Sequence, residues 1–135
     1  MQLRMETREN ELAESIARLR VLIVEDDPFM QMELEATLRD NGAIIVGPCG
    51  TVREAMSVVA VSPIDVALLD FGLANETSAP VARYLEAAGI PFLFYTGQLK
   101  SDARLAEWVT HPLLPKPSRP QEITAALAKL VGRRA

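Results

Sequence analysis

The chain has 135 residues, enough for one domain with a true core and too few for a second domain of ordinary size. Apolar residues make up 49% and charged residues 24%, a balance typical of a folded globular protein and not of a disordered one. The net charge of −4 gives no electrostatic reason to expect nucleic acid as a partner, and one cysteine with one histidine leaves no basis for a disulfide framework or a zinc site.

Residues 1–19 form a prefix that is dense in charges of both signs. Within it, Leu12, Ile16 and Leu19 have helical spacing, which predicts a helix with a narrow apolar stripe. Two interpretations stay open. We favour a solvated leader without a role; the alternative is a helix that packs on the domain or pairs two chains as a homodimer.

The domain begins at residue 20 with a strand followed by a helix. The continuous apolar run at 21–24 is typical of a strand that is buried on both faces. Asp27 and Pro28 then have the residue types of a helix N-cap and first helical position. Asn41 and Gly42 end that helix, since both tolerate the turn that closes a helix.

A second strand and helix follow, and then a third strand. Residues 43–47 predict the second strand, and Thr51 with Glu54 forms a capping box for a helix that runs to about residue 61. The apolar run at 64–69 predicts the third strand.

The middle of the chain predicts a loop, a helix and a fourth strand. Residues 71–77 are expected to form a polar loop. Pro80 fits the first turn of a third helix, which we expect to end at Gly89. The segment at 91–95 predicts the fourth strand.

The last third of the domain carries weaker signals. Residues 99–108 predict a fourth, less regular helix, and 113–115 a short fifth strand. A last helix is expected over 120–132, where Pro120 opens it and an apolar stripe follows. Residues 133–135 are a tail. The domain therefore covers 20–132.

Strands and helices alternate five times along the chain. Helix-sized connections require parallel strands, and right-handed crossovers place helices on both faces of the sheet. The alternation therefore predicts a doubly wound α/β domain with a five-stranded parallel sheet.

Polar residues gather where the predicted strands end. The first strand is followed by Glu25 and Asp26, the third by Asp70, the fourth by Thr96, and the fifth by Lys116. Because ligands of an open parallel sheet bind at the carboxyl ends of its strands, we expect these side chains to share one pocket.

The chemistry of such a pocket indicates phosphoryl transfer. Two carboxylates 4 Å apart repel by about 4 kcal/mol at an effective dielectric of 20, and Mg²⁺ is the hard cation that oxygen ligands select to offset this. The Lys116 ammonium and the Thr96 hydroxyl add positive charge and a donor, and Gly97 leaves room beside them. These groups suit in-line attack of Asp70 on phosphorus, which yields an aspartyl phosphate.

Four short motifs carry a resemblance to a known family. In chain order they are VLIVEDDP (21–28), LLD (68–70), YTG (95–97) and PKP (115–117). This ordered set resembles the receiver domain of two-component response regulators over roughly residues 20–132. The resemblance implies a flavodoxin-like strand order of 2-1-3-4-5.

The resemblance also implies roles for single residues. Asp70 would be the phosphoacceptor, Thr96 the switch hydroxyl and Lys116 the contact of the phosphoryl group. The Mg²⁺ ligands would be carboxylates and one backbone carbonyl, from Glu25 (mainly through water), Asp26, Asp70 and Gly72. The bond between Lys116 and Pro117 is often cis in this family.

Some positions depart from the usual receiver pattern. Where receivers commonly place Tyr or Phe, this chain has Leu113, and Ser118 replaces the aromatic residue often found after Lys-Pro. PFLFYTG at 91–97 resembles a subclass with Pro-Phe-x-Phe-Ala-Thr-Gly, commonly single-domain and paired with HWE-type histidine kinases; Tyr95 replaces its alanine. Phosphorylation is therefore expected to reorder the segment after the fourth strand instead of flipping a ring.

Two further positions concern the phosphorylated state. Gly72 and Gln98, two residues beyond the acceptor and the threonine, are expected to modulate the lifetime of the adduct.

We therefore expect a stand-alone receiver. It would take a phosphoryl group from a sensor histidine kinase or a histidine phosphotransfer protein. It would signal through protein contacts of the fourth helix, fifth strand and last helix. Alternatives are a phosphate sink, a phosphorylation-independent adaptor, and a Mg²⁺-dependent phosphoesterase of the Toprim type. The last would want Asp-x-Asp, whereas this chain has Asp-Phe-Gly at 70–72.

The expected compartment is the cytoplasm. The longest apolar runs are too short to cross a bilayer, and the N-terminus lacks the apolar stretch of a signal peptide. Neither a membrane nor nucleic acid is an expected partner, and the lone cysteine, Cys49, suits a reducing environment.

Overall fold

The computed structural model describes residues 16–97 and 102–132. Five strands form the main sheet: β1 (Arg20–Val24), β2 (Ile44–Cys49), β3 (Val66–Leu69), β4 (Phe92–Thr96) and β5 (Leu113–Pro115). Four α-helices connect or flank them: α1 (Pro28–Asp40), α2 (Val52–Val59), α3 (Ala79–Ala87) and α4 (Pro120–Gly132). A 3₁₀ helix (Ala103–Trp108) lies between β4 and β5.

All five strands of the main sheet are parallel, in the order β2-β1-β3-β4-β5. This confirms the predicted strand order of 2-1-3-4-5. Helices cover both faces, which leaves β1, β3 and β4 in the middle with continuous buried runs. Such runs are expected where a strand has a packed layer on each side.

Alternate residues of each strand pack into two separate core layers. Leu22 and Val24 face the layer that contains α2, α3 and the 3₁₀ helix. Val21 and Ile23 face the layer of α1 and α4, where Leu38 and Leu127 are fully buried. The period-two alternation of a strand produces this division, and it fixes which side chains point to which helices.

The predicted helix N-termini are confirmed at α1 and α2. The Asp27 side chain accepts a hydrogen bond from the Phe29 N–H at 2.9 Å, and Thr51 Oγ1 accepts one from the Glu54 N–H at 3.1 Å. At the other end of α1, Gly42 has φ +85°, and a Cβ there would lie 3.2 Å from the Cβ of Ala17. The turn therefore needs glycine for both its dihedral angle and its space.

The second strand is longer than predicted. β2 runs on to Cys49, and the register between β1 and β2 shifts between Leu22 and Val24. Gly47, with φ +96°, allows the chain to bend at this bulge. The peptide bonds before Pro48 and Pro117 are cis, the second as the resemblance implies.

The segment at 71–77 is not simply a polar loop. Gly72–Leu73 and Glu76–Thr77 form a two-stranded antiparallel hairpin. Phe71 is fully buried and meets the Phe94 ring edge to face at a centroid distance of 5.6 Å. The prediction of a polar loop was wrong here. It rested on the polar residues of the segment, whereas Phe71 at its start anchors the segment in the core.

The helix predicted over 99–108 is a 3₁₀ helix over 103–108, and residues 99–101 lie outside the described part of the chain. Leu105 and Trp108 are both buried in this short element. Residues three apart eclipse one another when a helix has three residues per turn, so this geometry turns both side chains to the core.

Part of the predicted prefix is visible. Ile16 is fully buried in the core layer of α1 and α4, and Leu19 packs against that layer. Leu12 and the start of the prefix lie outside the described residues. No helix within 16–97 and 102–132 has the length and apolar character that crossing a membrane requires.

Candidate functional site

Backbone hydrogen bonds continue past the ends of the strands and align the residues that follow. The Glu25 N–H donates to Cys49 O at 2.9 Å, the Asp70 N–H to Val24 O at 2.8 Å, and the Lys116 N–H to Thr96 O at 3.0 Å. Each residue is therefore held in line with a neighbouring strand. This is how the sheet brings stretches far apart in sequence to one edge.

The Lys116 ammonium joins two of the acidic side chains. Its Nζ donates to Glu25 Oε2 at 2.7 Å and to Asp70 Oδ2 at 2.9 Å. Glu25 is 2% exposed and Asp70 is 8% exposed. The predicted meeting of the first, third and fifth strand ends in one pocket is therefore confirmed.

Asp26 completes an acidic cluster. One carboxylate oxygen from each of Glu25, Asp26 and Asp70 lies within 4.8 Å of the others, and Asp26 is half-buried. Three carboxylates this close, two of them buried, supply the hard oxygen donors that Mg²⁺ prefers, and oxygens of water or substrate would complete its coordination. The donor set therefore fits a magnesium ion.

Burial and charge shift the ionisation of the pocket. Burial, together with the charge of Asp70, raises the pKa of Glu25 despite its hydrogen bond from Lys116. Burial alone would lower the pKa of Lys116. The hydrogen bonds to Glu25 and Asp70 and the charges of both outweigh that effect, so its pKa is raised. The ammonium stays charged and holds the two carboxylates together.

Helix α1 supports the pocket from one side. The Asp27 N–H donates to Glu25 Oε1 at 3.1 Å, and Gln31 Nε2 donates to the Glu25 backbone carbonyl at 2.6 Å. Gln31 was not predicted as part of the site. A glutamine in the first turns of a helix is common, and only the fold shows that it reaches back to the strand end.

The remaining predicted residues have the following places. Thr96 is buried at the end of β4, and its carbonyl accepts the bond from the Lys116 N–H. Gly72 starts the hairpin, two residues beyond Asp70. Leu113 is half-buried and pairs with Phe94 in the sheet. Gln98 lies outside the described residues.

Gly97 follows Thr96 directly and is exposed. A Cβ at Gly97 would meet no heavy atom within 4 Å among the described residues. Steric room alone therefore does not explain a glycine at this position.

Cys49 is a packed residue. It is buried at the end of β2, and burial together with the charge of Glu54 raises the pKa of its thiol to about 11. Such a thiol carries almost no thiolate near neutral pH, so it is no nucleophile.

Comparison with known proteins identifies the family. The model of the response regulator receiver domain matches residues 21–128. The solution structure of SdrG from Sphingomonas melonis Fr1 is 38% identical, covers 87% of this chain and 98% of that chain, and has a TM-score of 0.70. SdrG from Pseudomonas melonis Fr1 in its BeF₃-activated conformation is 39% identical, covers 85% and 98%, and has a TM-score of 0.68.

A larger regulator shares the fold. PhyR from Brucella abortus is 24% identical with a TM-score of 0.79; the match covers 96% of this chain and 54% of that chain, so the chain spans about half of PhyR's length. No curated protein matches the sequence. The receiver-domain match over most of the chain, supported by the likeness to SdrG, shows that this chain belongs to the family of response regulator receiver domains.

Proposed function

We propose that this chain is a phosphoacceptor of two-component signalling and that Asp70 takes the phosphoryl group. A receiver domain implies a histidine kinase as partner, and the donor would be a phosphohistidine on that kinase or on a phosphotransfer protein. The observation that carries the proposal is the Lys116 ammonium, which lies 2.9 Å from Asp70 Oδ2 inside a cluster of three carboxylates.

The proposed reaction is a single displacement at phosphorus. A carboxylate oxygen of Asp70 forms a new bond to phosphorus while the bond from phosphorus to the histidine nitrogen breaks. That nitrogen keeps the electron pair and then takes a proton from solvent. The product is an aspartyl phosphate and a neutral imidazole.

The residues around Asp70 would divide the work. Lys116 and the Thr96 hydroxyl stabilise the charge that grows on the phosphoryl oxygens. Mg²⁺, held by Glu25, Asp26, Asp70 and the Gly72 carbonyl, would supply positive charge for the same oxygens. Glu25, which is almost fully buried, also keeps the ammonium directed at the acceptor.

Two further observations support the proposal. SdrG, which is 39% identical to this chain, has a BeF₃-activated conformation. The PFLFYTG segment resembles the subclass paired with HWE-type kinases, so a kinase of that type is the proposed donor. The output would be altered protein contacts of the domain at 20–132, with Gly72, Gly97, Gln98 and Leu113 modulating the phosphorylated state.

Labelling with radioactive phosphate tests the acceptor. Wild-type protein with Mg²⁺ is exposed to phosphorylated kinase domains and to phosphoramidate, whose P–N bond is that of phosphohistidine. We expect a label that survives acid and is lost in base. Asp70→Asn should take no label, whereas Asp40→Asn, a change at an exposed aspartate at the end of α1, should be labelled like wild type.

Two results would overturn the proposal. Full labelling of Asp70→Asn would show that another residue accepts the group. Wild-type protein that takes no label from any donor would point instead to an adaptor that works without phosphate.

A further inference from the structure

Tyr95 is placed where it can connect the pocket to helix α4. It is the residue before Thr96 in β4, 3% exposed, and its side chain packs in the α1 and α4 core layer. A tyrosine buried this deeply needs a partner for its hydroxyl group. That partner lies in the turn that carries Lys116.

The turn between β5 and α4 is tied to β4 at two successive residues. The Lys116 N–H donates to Thr96 O at 3.0 Å, and the Ser118 N–H donates to the Tyr95 hydroxyl oxygen at 3.1 Å. Ser118 Oγ also donates to Pro115 O at 2.7 Å, which closes the turn on itself. Ser118 is therefore fixed both to its own turn and to β4.

The Tyr95 ring also faces the Lys116 ammonium. Lys116 Nζ lies 5.7 Å from the centroid of the ring, within the range of a cation–π contact. The ammonium thus has three neighbours that hold it, two carboxylates and one aromatic face. Any movement of Lys116 toward a phosphoryl group changes its contact with this ring.

Helix α4 starts directly after this turn. Its first residue is Pro120, and the Arg119 N–H before it donates to Glu122 Oε1 at 3.0 Å. Only one residue separates Ser118 from the helix. A shift of the Ser118 backbone therefore reaches the first turn of α4 without passing through a flexible linker.

We propose that Tyr95 is a positioning residue: it holds the turn from Lys116 to Ser118 against β4 and relays movement of the Lys116 ammonium to the first turn of α4. The inference rests on the proposed function, because it takes Asp70 as the acceptor that Lys116 approaches. It gives this chain an aromatic contact on the α4 side of the sheet, whereas position 113, where receivers usually have an aromatic residue, is leucine.

The test is Tyr95→Phe, which removes one oxygen atom and keeps the ring, so the packing and the contact with Lys116 are expected to remain. The matched control is Tyr84→Phe, the same change at a tyrosine that is 38% exposed on α3. The backbone amide signals of Asp70 and Ser118 are followed by NMR before and after addition of Mg²⁺ with beryllium fluoride as the phosphoryl mimic.

In wild type and in Tyr84→Phe we expect both amide signals to shift. In Tyr95→Phe the Asp70 shift should remain while the Ser118 shift falls at least twofold, because the relay has lost its hydrogen bond. If Tyr95 had a merely structural role, the shifts of both amide signals would be the same in Tyr95→Phe as in wild type. The maximal rate of labelling by phosphoramidate should also fall two- to fivefold in Tyr95→Phe, with an unchanged concentration for half-maximal rate.

The outcomes separate this inference from the proposed function. If Asp70 responds and Ser118 shifts equally in wild type and Tyr95→Phe, the relay is refuted and the acceptor proposal stands. If Ser118 does not respond in wild type although Asp70 does, the relay is also refuted. If Asp70 itself does not respond in wild type, the acceptor proposal fails and the relay fails with it.

Discussion

The pocket depends on one ammonium between two buried carboxylates. Lys116 contacts Glu25 and Asp70 at hydrogen-bond distance, and its side chain is 18% exposed. Without it, two acids that have little contact with water would face each other unpaired. An unpaired charge inside a protein destabilises the fold by more than the ion pair stabilises it. Removal of this lysine should therefore lower the stability of the protein by more than the net contribution of the pair.

Replacing Lys116 with methionine should therefore destabilise the metal-free protein. Breaking a buried ion pair costs about 3–5 kcal/mol, and partial exposure with protonation of Glu25 reduces the expected loss to about 1–3 kcal/mol. Urea unfolding in chelator-treated buffer measures it. Lys129→Met, at an exposed lysine in the last turn of α4, is the control and should change stability by less than about 0.5 kcal/mol.

The sign of the pH dependence follows from Glu25. Its pKa in the fold is raised above the ordinary value of 4.5, chiefly by burial. A carboxyl group with a raised pKa in the folded state stabilises the fold at pH values below its unfolded pKa. This stabilisation is lost as pH rises through the raised pKa. Removing Lys116 raises this pKa further. The decrease in the free energy of unfolding caused by Lys116→Met should be larger at pH 8 than at pH 5. The opposite order would contradict this role of Glu25.

The charged residues of the pocket and Thr96 could be predicted, but two neutral residues that support the pocket could not. Glu25, Asp70 and Lys116 each directly follow a strand. Because the carboxyl ends of parallel strands lie at the same end of a sheet, these residues were expected to lie close together. Tyr95 and Gln31 contribute hydrogen bonds whose partners lie across a turn or at a strand end. Only the signal that a buried tyrosine hydroxyl needs a partner was available for Tyr95, and it does not name that partner.

Helix α2 shows how the first turn of a short helix is stabilised. Thr51 accepts from the Glu54 N–H at 3.1 Å, and Glu76 Oε2 of the hairpin accepts from the Val52 N–H at 3.0 Å. Two of the four unpaired N–H groups at the helix start are thus satisfied, one locally and one by a distant residue. The hairpin that follows Asp70 is in this way attached to α2.

Thr51→Ala should lower the free energy of unfolding by about 1 kcal/mol, because it removes the cap of a helix that has only eight residues. Ser57→Ala in the same helix is the control. The Ser57 hydroxyl bonds back to the Arg53 carbonyl, an interaction that does not strengthen a helix, so alanine there should be neutral or slightly stabilising. Equal losses in both variants, measured by urea unfolding, would argue against the cap.

Element types were predictable where local signals agree with packing. The N-terminal caps of α1 and α2 were readable from Asp27 and Thr51 because a cap bonds to residues only two or three positions away. The 3₁₀ helix and the hairpin were not readable. Both depend on anchors in the core, Trp108 and Phe71, whose burial is decided by contacts with distant strands.

The sheet of the domain brings like charges together, and the packing of the core offsets their repulsion. Strand direction follows from the alternation of elements and the handedness of their connections, and the resemblance to receiver domains implied the strand order. The position of the acidic cluster was therefore predictable as well. The two core layers stabilise the sheet from both faces. The repulsion among the clustered carboxylates therefore destabilises only this part of the molecule, and a bound cation can remove it.

Mg²⁺ should therefore stabilise the folded protein as a whole. A ligand that binds only the native state raises its stability by RT ln(1 + [L]/Kd), about 1.4 kcal/mol at ten times Kd, or roughly 3–6 °C in Tm for a domain of this size. Thermal unfolding with and without millimolar Mg²⁺ measures the effect. Asp26→Asn should reduce it by more than half, because Asp26 supplies one of the three clustered carboxylates. Asp40→Asn should leave it unchanged, since that exposed side chain ends α1. Identical melting curves for the wild type with and without Mg²⁺ would mean that Lys116 alone balances the acidic cluster.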